Sequence, residues 1–197
     1  MTVGLRPFLE PDAIAAHVAR LGAEITVTHP REVVLVGLLK DSAIFLADLL
    51  RQIESPCVVD FLSMSAYRPG ERRVRLMKDL DVDVEGREVV LVRDIVDTGL
   101  SVRYVLELLA ARGAKSVQLC ALLDRRERHI LPLEVDYCGQ ATDERFLVGY
   151  GLDLSEQYRN LPAIYAVDPL VLDADPAAAR LALYGPRAGG ATLHGRG

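Results

Sequence analysis

Val89-Val90-Leu91-Val92-Arg93-Asp94-Ile95-Val96-Asp97-Thr98-Gly99-Leu100-Ser101 runs from a continuous apolar, β-branched stretch into two carboxylates and a Thr-Gly turn, then into a helical pattern. An unbroken run of this kind suits a strand buried on both faces, as in parallel sheets. The pattern predicts a strand over 88–92, a loop over 94–99 and a helix from Leu100 to Arg112 stopped by Gly113, with a second strand from Ser116 to Leu123. A strand–helix–strand unit joined by so short a turn makes a parallel crossover. The turn aims backbone N–H groups and the positive end of a helix dipole at one point, which suits a phosphate. Thr98 and Ser101 add hydroxyl donors, and Gly99 permits close approach of the backbone. Asp94 and Asp97 fall at the carboxyl end of the strand, where open sheets bind ligands. Asp97 is then placed to exchange a proton with a base. Taken alone, the segment also fits a plain helix cap, since Asp and Thr favour such positions.

The same alternation continues outward. Apolar residues at Ile14, Val18, Leu21 and Ile25 recur at helical spacing within 10–27. Residues 32–39 form another continuous apolar run, Ser42 is placed to cap a helix carrying Phe45, Leu46 and Leu49, and a strand is expected over Cys57–Ser65. Tyr67-Arg68-Pro69-Gly70-Glu71 reads as a turn, with extended chain again over Arg73–Met77. Shorter strands are expected at Val135–Cys138, Phe146–Tyr150 and Ala163–Val167. The whole predicts an α/β protein with a Rossmann-like parallel sheet flanked by helices on both faces. After residue 170 the character changes, and 171–197 reads as a C-terminal tail that is partly disordered.

Composition narrows the classes. A chain of 197 residues with half of them hydrophobic and a net charge of -5 suits one folded domain and makes a nucleic-acid partner unlikely. No apolar run reaches the roughly 18 residues needed to cross a bilayer, so no membrane role is expected and a cytoplasmic location follows. Cys57, Cys120 and Cys138 share no metal-ligand spacing, and His17, His29, His129 and His194 form no cluster. The arginine groups Arg72, Arg73, Arg75 and Arg125, Arg126, Arg128 read first as surface charge.

The segment around Asp94 resembles the phosphoribosyl-pyrophosphate motif of the type I phosphoribosyltransferases, and its Asp-Ile-Val-Asp-Thr-Gly is nearest the hypoxanthine-guanine branch. Other stretches match that branch in order: Leu35–Lys40 with Phe45–Leu49, Val59–Phe61, Arg75–Leu80, Phe146–Asp153 and Tyr158–Pro162. The resemblance covers about 8–167 and implies that residues 1–170 form a phosphoribosyltransferase domain with a small hood subdomain. It implies a purine salvage enzyme that moves ribose 5-phosphate from phosphoribosyl pyrophosphate to hypoxanthine or guanine, releasing pyrophosphate, with Mg2+ as cofactor. By position, Asp97 is the catalytic base or acid, and Asp97, Thr98, Gly99, Leu100 and Ser101 hold the 5-phosphate. Asp94 takes the ribose hydroxyls, directly or through the metal, which Asp94 and Asp153 ligate. Lys40, Asp41 and Arg159 line the pyrophosphate; Arg125, Phe146 and Leu147 meet the base. A homodimer or homotetramer is the assembly the family implies.

Four positions depart from the family. Arg93 stands where an acid is usual, and a guanidinium has no lone pair with which to accept a hydroxyl hydrogen bond. Asp41 replaces a glycine, Arg125 replaces a lysine, and the loop over 65–73 is short. These keep two other readings open: a related enzyme for a modified nucleobase, and a non-catalytic nucleotide-sensing regulator of the same fold.

Overall fold

The computed structural model describes residues 5–65, 75–144 and 146–185. The apolar runs build a six-stranded sheet from β2 (Val33–Leu38), β3 (Cys57–Met64), β4 (Leu76–Lys78), β5 (Glu88–Val96), β6 (Ser116–Asp124) and β7 (Tyr137–Ala141), in the order β4-β3-β2-β5-β6-β7. All neighbours pair in parallel except the edge pair β3 and β4. Helices α1 (Pro11–Thr28) and α2 (Ala43–Leu50) cover one face; α3 (Leu100–Ala111) covers the other.

Strand pleating sorts the central residues between these layers. Leu35, Val90, Val92 and Leu122 pack with Ile14, Leu21 and Ile25 of α1 and Phe45 and Leu49 of α2. Val34, Val36, Leu91 and Leu119 pack with Val102, Val105 and Leu109 of α3. This is why β2 and β5 read as unbroken apolar runs. Helix α3 ends at Gly113, whose φ of 79° lies in the left-handed region that glycine adopts freely.

A second sheet, in the order β1-β9-β8, joins β1 (Leu5–Leu9), β8 (Leu147–Val148) and β9 (Ile164–Val167), all antiparallel. It is the small subdomain that the resemblance implied. β1 was not foreseen, because Pro7 argues against a strand; as an edge strand β1 tolerates it.

Several expectations need correction. β5 runs on to Val96, so Asp94 lies within a strand and not in a loop; Arg93, Ile95 and Val96 keep pairing with Ala121, Leu123 and Asp124 of β6. The ladder outweighs the poor strand preference of aspartate. β7 starts two residues later than expected, at Tyr137, and β8 is confined to Leu147–Val148. Ser42 occupies the position before α2 but does not cap it; its hydroxyl donates to the Leu38 carbonyl at 2.9 Å. Of the stretch read as a partly disordered tail, the described part is helical: α4 (Pro169–Ala174) and α5 (Pro176–Tyr184) bury Leu172, Ala179 and Leu183 against Val148, Leu161 and Val167. Asp175 caps α5 by accepting from the Ala178 amide at 2.9 Å. The turn over 67–71, Arg72, Arg73 and residues 186–197 lie outside the described residues.

Candidate active site

The carboxyl ends of β2, β5 and β6 face the small subdomain, and two adjoining cavities open there. One, about 370 Å³, is lined by Asp41, Asp94, Asp97, Arg125, Arg128, Phe146, Leu147 and Asp153, among others. The other, about 410 Å³, is lined by Lys40, Asp41, Ser63, Arg93, Ser101, Glu156 and Arg159, among others. A further hollow of about 450 Å³ lies between α1, α2 and the 159–162 segment, and neither Asp94 nor Asp97 reaches it.

The turn after β5 has the expected form. Gly99 takes φ 78° and α3 begins at Leu100. The first helical bond runs from the Arg103 amide to the Gly99 carbonyl at 2.8 Å. The amides of Leu100, Ser101 and Val102 therefore precede any helical partner and mark a positive helix end. The Thr98 carbonyl accepts from the Ile130 amide at 3.0 Å, tying the turn to the segment after β6.

Asp94 is 2% exposed, and burial pushes its carboxyl above the usual carboxylate range, against the pull of the Arg93 guanidinium. Asp97 is more open. Its Oδ1 lies 2.9 Å from Arg128 Nε and 3.5 Å from Arg125 Nη1. Phe146 is exposed, while Leu147 is buried on β8, the edge strand of its sheet. Arg159 gathers acids: Nη1 sits 2.5 Å from Asp41 Oδ1, and Nη2 sits 2.9 Å from Asp153 Oδ1 and 3.5 Å from Glu156. Lys40 pairs with Glu156 at 2.9 Å, which holds the Glu156 carboxyl below its usual range, and the Leu39–Lys40 peptide is cis. Gly151, at φ 98°, sits so close to the Asp41 backbone that an added Cβ would lie 2.7 Å from its carbonyl oxygen.

Asp41, Asp94, Asp97, Arg125, Phe146, Leu147 and Asp153 thus share one cavity, and Lys40, Asp41, Ser101 and Arg159 share its neighbour. The first reading of the second arginine group as surface charge fails for Arg125, which is 9% exposed; Arg128 is exposed, as expected, and also lines the cavity beside Asp97. Arg125 precedes a 3-10 turn at Arg126–Arg128, and its amide donates to the Val96 carbonyl at 2.9 Å. Arg93 is also inward; its side chain is 13% exposed, 3.5 Å from Asp94 and 3.9 Å from Asp41. Arg128 and Glu156 were not anticipated at the site, and nothing in local spacing singles them out.

A strand-ended crevice with a helix N-terminus, carboxylates on the strand and cations nearby is where a doubly wound sheet binds ligands, and its positive helix end suits a phosphate. The phosphoribosyl transferase domain model matches residues 8–155, and the chain belongs to that family. It is 41% identical to the hypoxanthine phosphoribosyltransferase of Salmonella typhimurium over 161 residues, 78% of this chain and 90% of that one. It is 40% identical to the hypoxanthine-guanine phosphoribosyltransferase of Aquifex aeolicus, covering 83% of this chain and 95% of that one. Its structure is similar to a hypoxanthine phosphoribosyltransferase from Staphylococcus aureus with a TM-score of 0.80 at 35% identity, covering 84% and 92% of the two chains.

Proposed function

We propose that this chain is a purine phosphoribosyltransferase, transferring ribose 5-phosphate from phosphoribosyl pyrophosphate to hypoxanthine or guanine and releasing pyrophosphate. The observation that carries the reading is the convergence of Asp94, Asp97, Phe146 and Leu147 on one cavity, beside a second that holds Lys40, Ser101 and Arg159. The α3 amides, with the Thr98 and Ser101 hydroxyls, hold the 5-phosphate. Phe146 stacks on the base, and the Leu147 main chain on its edge strand reads the base's polar rim. Arg125 donates to the oxygen at the purine six position. Asp97 takes or returns the proton of the imidazole nitrogen. Lys40 and Arg159 attract the departing pyrophosphate, while Asp94 accepts from a ribose hydroxyl. Positive charge develops on the sugar and negative charge on the leaving group, so catalysis is largely placement and charge stabilisation.

The residues present suit magnesium in a limited way. Asp94 Oδ1 is buried without a hydrogen-bond partner, and Asp153 lines the same cavity. Among the described residues no group of three acids, histidines or cysteines is arranged to hold a metal ion. Such a donor set fits an ion that brings most of its oxygen ligands with the diphosphate and retains waters. When bound, the ion supplies neutralisation of diphosphate charge; Asp94 and Asp153 are the residues that would meet it.

The proposal includes a cytoplasmic enzyme: no described helix is long and apolar enough to cross a membrane, and Cys57, Cys120 and Cys138 are free thiols. It also includes self-association as a dimer or tetramer. Arg125 beside Asp97 keeps a second acceptor in view, a modified purine. Pyrophosphate release from phosphoribosyl pyrophosphate, with saturating magnesium and a panel of purines, tests the activity and the choice of acceptor. Turnover of hypoxanthine or guanine is expected. Preference for a modified purine favours the second reading, and nucleotide binding without turnover of any base overturns the enzymatic one.

A further inference from the structure

We propose that Asp41 and Arg93 act as one unit at the sugar end of the site, with Asp41 supplying the hydroxyl acceptor that Arg93 cannot supply and Arg93 neutralising the charge Asp41 places beside the diphosphate. The inference rests on the phosphoribosyl pyrophosphate reading above and adds to it a specificity-determining pair.

Position is the first support. Asp41 lines both cavities, the one that holds Asp97, Phe146 and Leu147 and the one that holds Lys40, Ser101 and Arg159. A molecule with its heterocycle in the first and its diphosphate in the second has its sugar at the junction, where Asp41 stands, with Asp94 in the wall of the first cavity. Chemistry is the second. Arg93 projects from β5 immediately before Asp94, yet its guanidinium has donors only. Asp41 has acceptors, and it arrives from the loop after β2, the strand next to β5.

The pair is also held in place. Asp41 Oδ2 lies 3.9 Å from Arg93 Nη2, and its Oδ1 lies 2.5 Å from Arg159 Nη1. Arg159 is itself anchored by donating to the Gly151 carbonyl at 2.7 Å, and the Gly151 backbone presses on that of Asp41. Arg93 Nη2 reaches Asp94 Oδ1 at 3.5 Å. A carboxylate next to a diphosphate repels it; one flanked by two guanidinium groups presents no net negative charge there. Arg159 and Arg93 together offset the Asp41 carboxylate, and Asp41 brings the acceptor that Arg93 lacks.

A double-mutant cycle reads the coupling. Asp41→Gly removes the acceptor and leaves Arg93 with Asp94 alone as its acid partner; Arg93→Glu places two carboxylates face to face. Each single change is expected to raise KM for phosphoribosyl pyrophosphate about tenfold or more, with kcat at saturating substrate changed less than about threefold. The double variant, Asp41→Gly with Arg93→Glu, moves the acceptor to the strand and is expected to return KM to within about threefold of the parent chain. Asp41→Asn, which preserves shape, is a second variant should the glycine change weaken folding. Calorimetric titration with phosphoribosyl pyrophosphate and magnesium reports the same coupling without turnover. Single effects that simply multiply in the double variant overturn the pairing and leave the enzyme intact. A parent chain that neither binds nor turns over phosphoribosyl pyrophosphate overturns the pairing and the proposed function together.

Discussion

Asp97 Oδ1 lies 2.9 Å from Nε of Arg128, so the carboxylate nearest the proposed base is already held by a guanidinium from the turn after β6. The contact sits in the wall of the cavity, with the Asp97 side chain 40% exposed and that of Arg128 42% exposed. The carboxylate faces the cavity; it is not withdrawn into the core. A pair this exposed contributes little to stability, about 0–1 kcal/mol.

Asp97→Asn should therefore separate function from folding. Turnover with hypoxanthine or guanine is expected to fall by roughly 10²–10⁴, the range for loss of a general base. The melting temperature should move by no more than about 4 °C. A large loss of stability with turnover unchanged would mean that Asp97 serves the fold.

Gly149→Ala is expected to be costly. Gly149 takes φ 101°, and a Cβ there would lie 2.1 Å from the Ala163 carbonyl oxygen. Strain at that φ alone is of order 1–3 kcal/mol, and the clash adds to it. Because the residue follows β8, the change also disturbs the strand that carries Leu147. Thermal melting and the KM for the base are both expected to worsen.

Acid should loosen the end of the sheet opposite the site. Glu88, at the start of β5, receives a hydrogen bond from Lys115 and one from His29, which lower its carboxyl from 4.5 to about 2. A carboxyl lowered on folding contributes stability that is fully present above about pH 4.5 and is lost as pH falls toward 2. Glu88→Gln should flatten that part of the stability-against-pH curve. An unchanged curve would assign the acid transition elsewhere.

Leu183→Ala should cost about 2–3 kcal/mol in chemical denaturation, near the low end for a buried leucine because its cluster is small. Leu183 is 5% exposed and packs with Val148, Leu161, Val167 and Leu172. A neutral result would mean that α5 does not seal the back of the small sheet.

The central architecture was legible because β2 and β5 are buried on both faces and α1 and α3 on one, so burial wrote itself into the apolar spacing. The last part of β5 was not. Arg93 and Asp94 look like loop residues, and only pairing with β6 keeps them extended. β1 was missed for a related reason, since its partner β9 lies far along the chain. Of the site, the turn from Asp97 to Ser101 was readable as a local motif. Arg128, Glu156 and the inward aim of Arg93 and Arg125 were not, because direction depends on how the 126–128 turn and the 153–160 segment fold over the crevice. The loop over 66–74 lies outside the described residues.

Strand β1 has a consequence for how the molecule is made. Its ladder partner is β9, so residues 5–9 leave the ribosome long before residues 164–167 exist. The large sheet has its strands in hand earlier, once β7 has been synthesised. During translation the crevice floor can therefore assemble while its roof is still missing, and the newborn chain must carry an unpaired strand edge until β9 arrives.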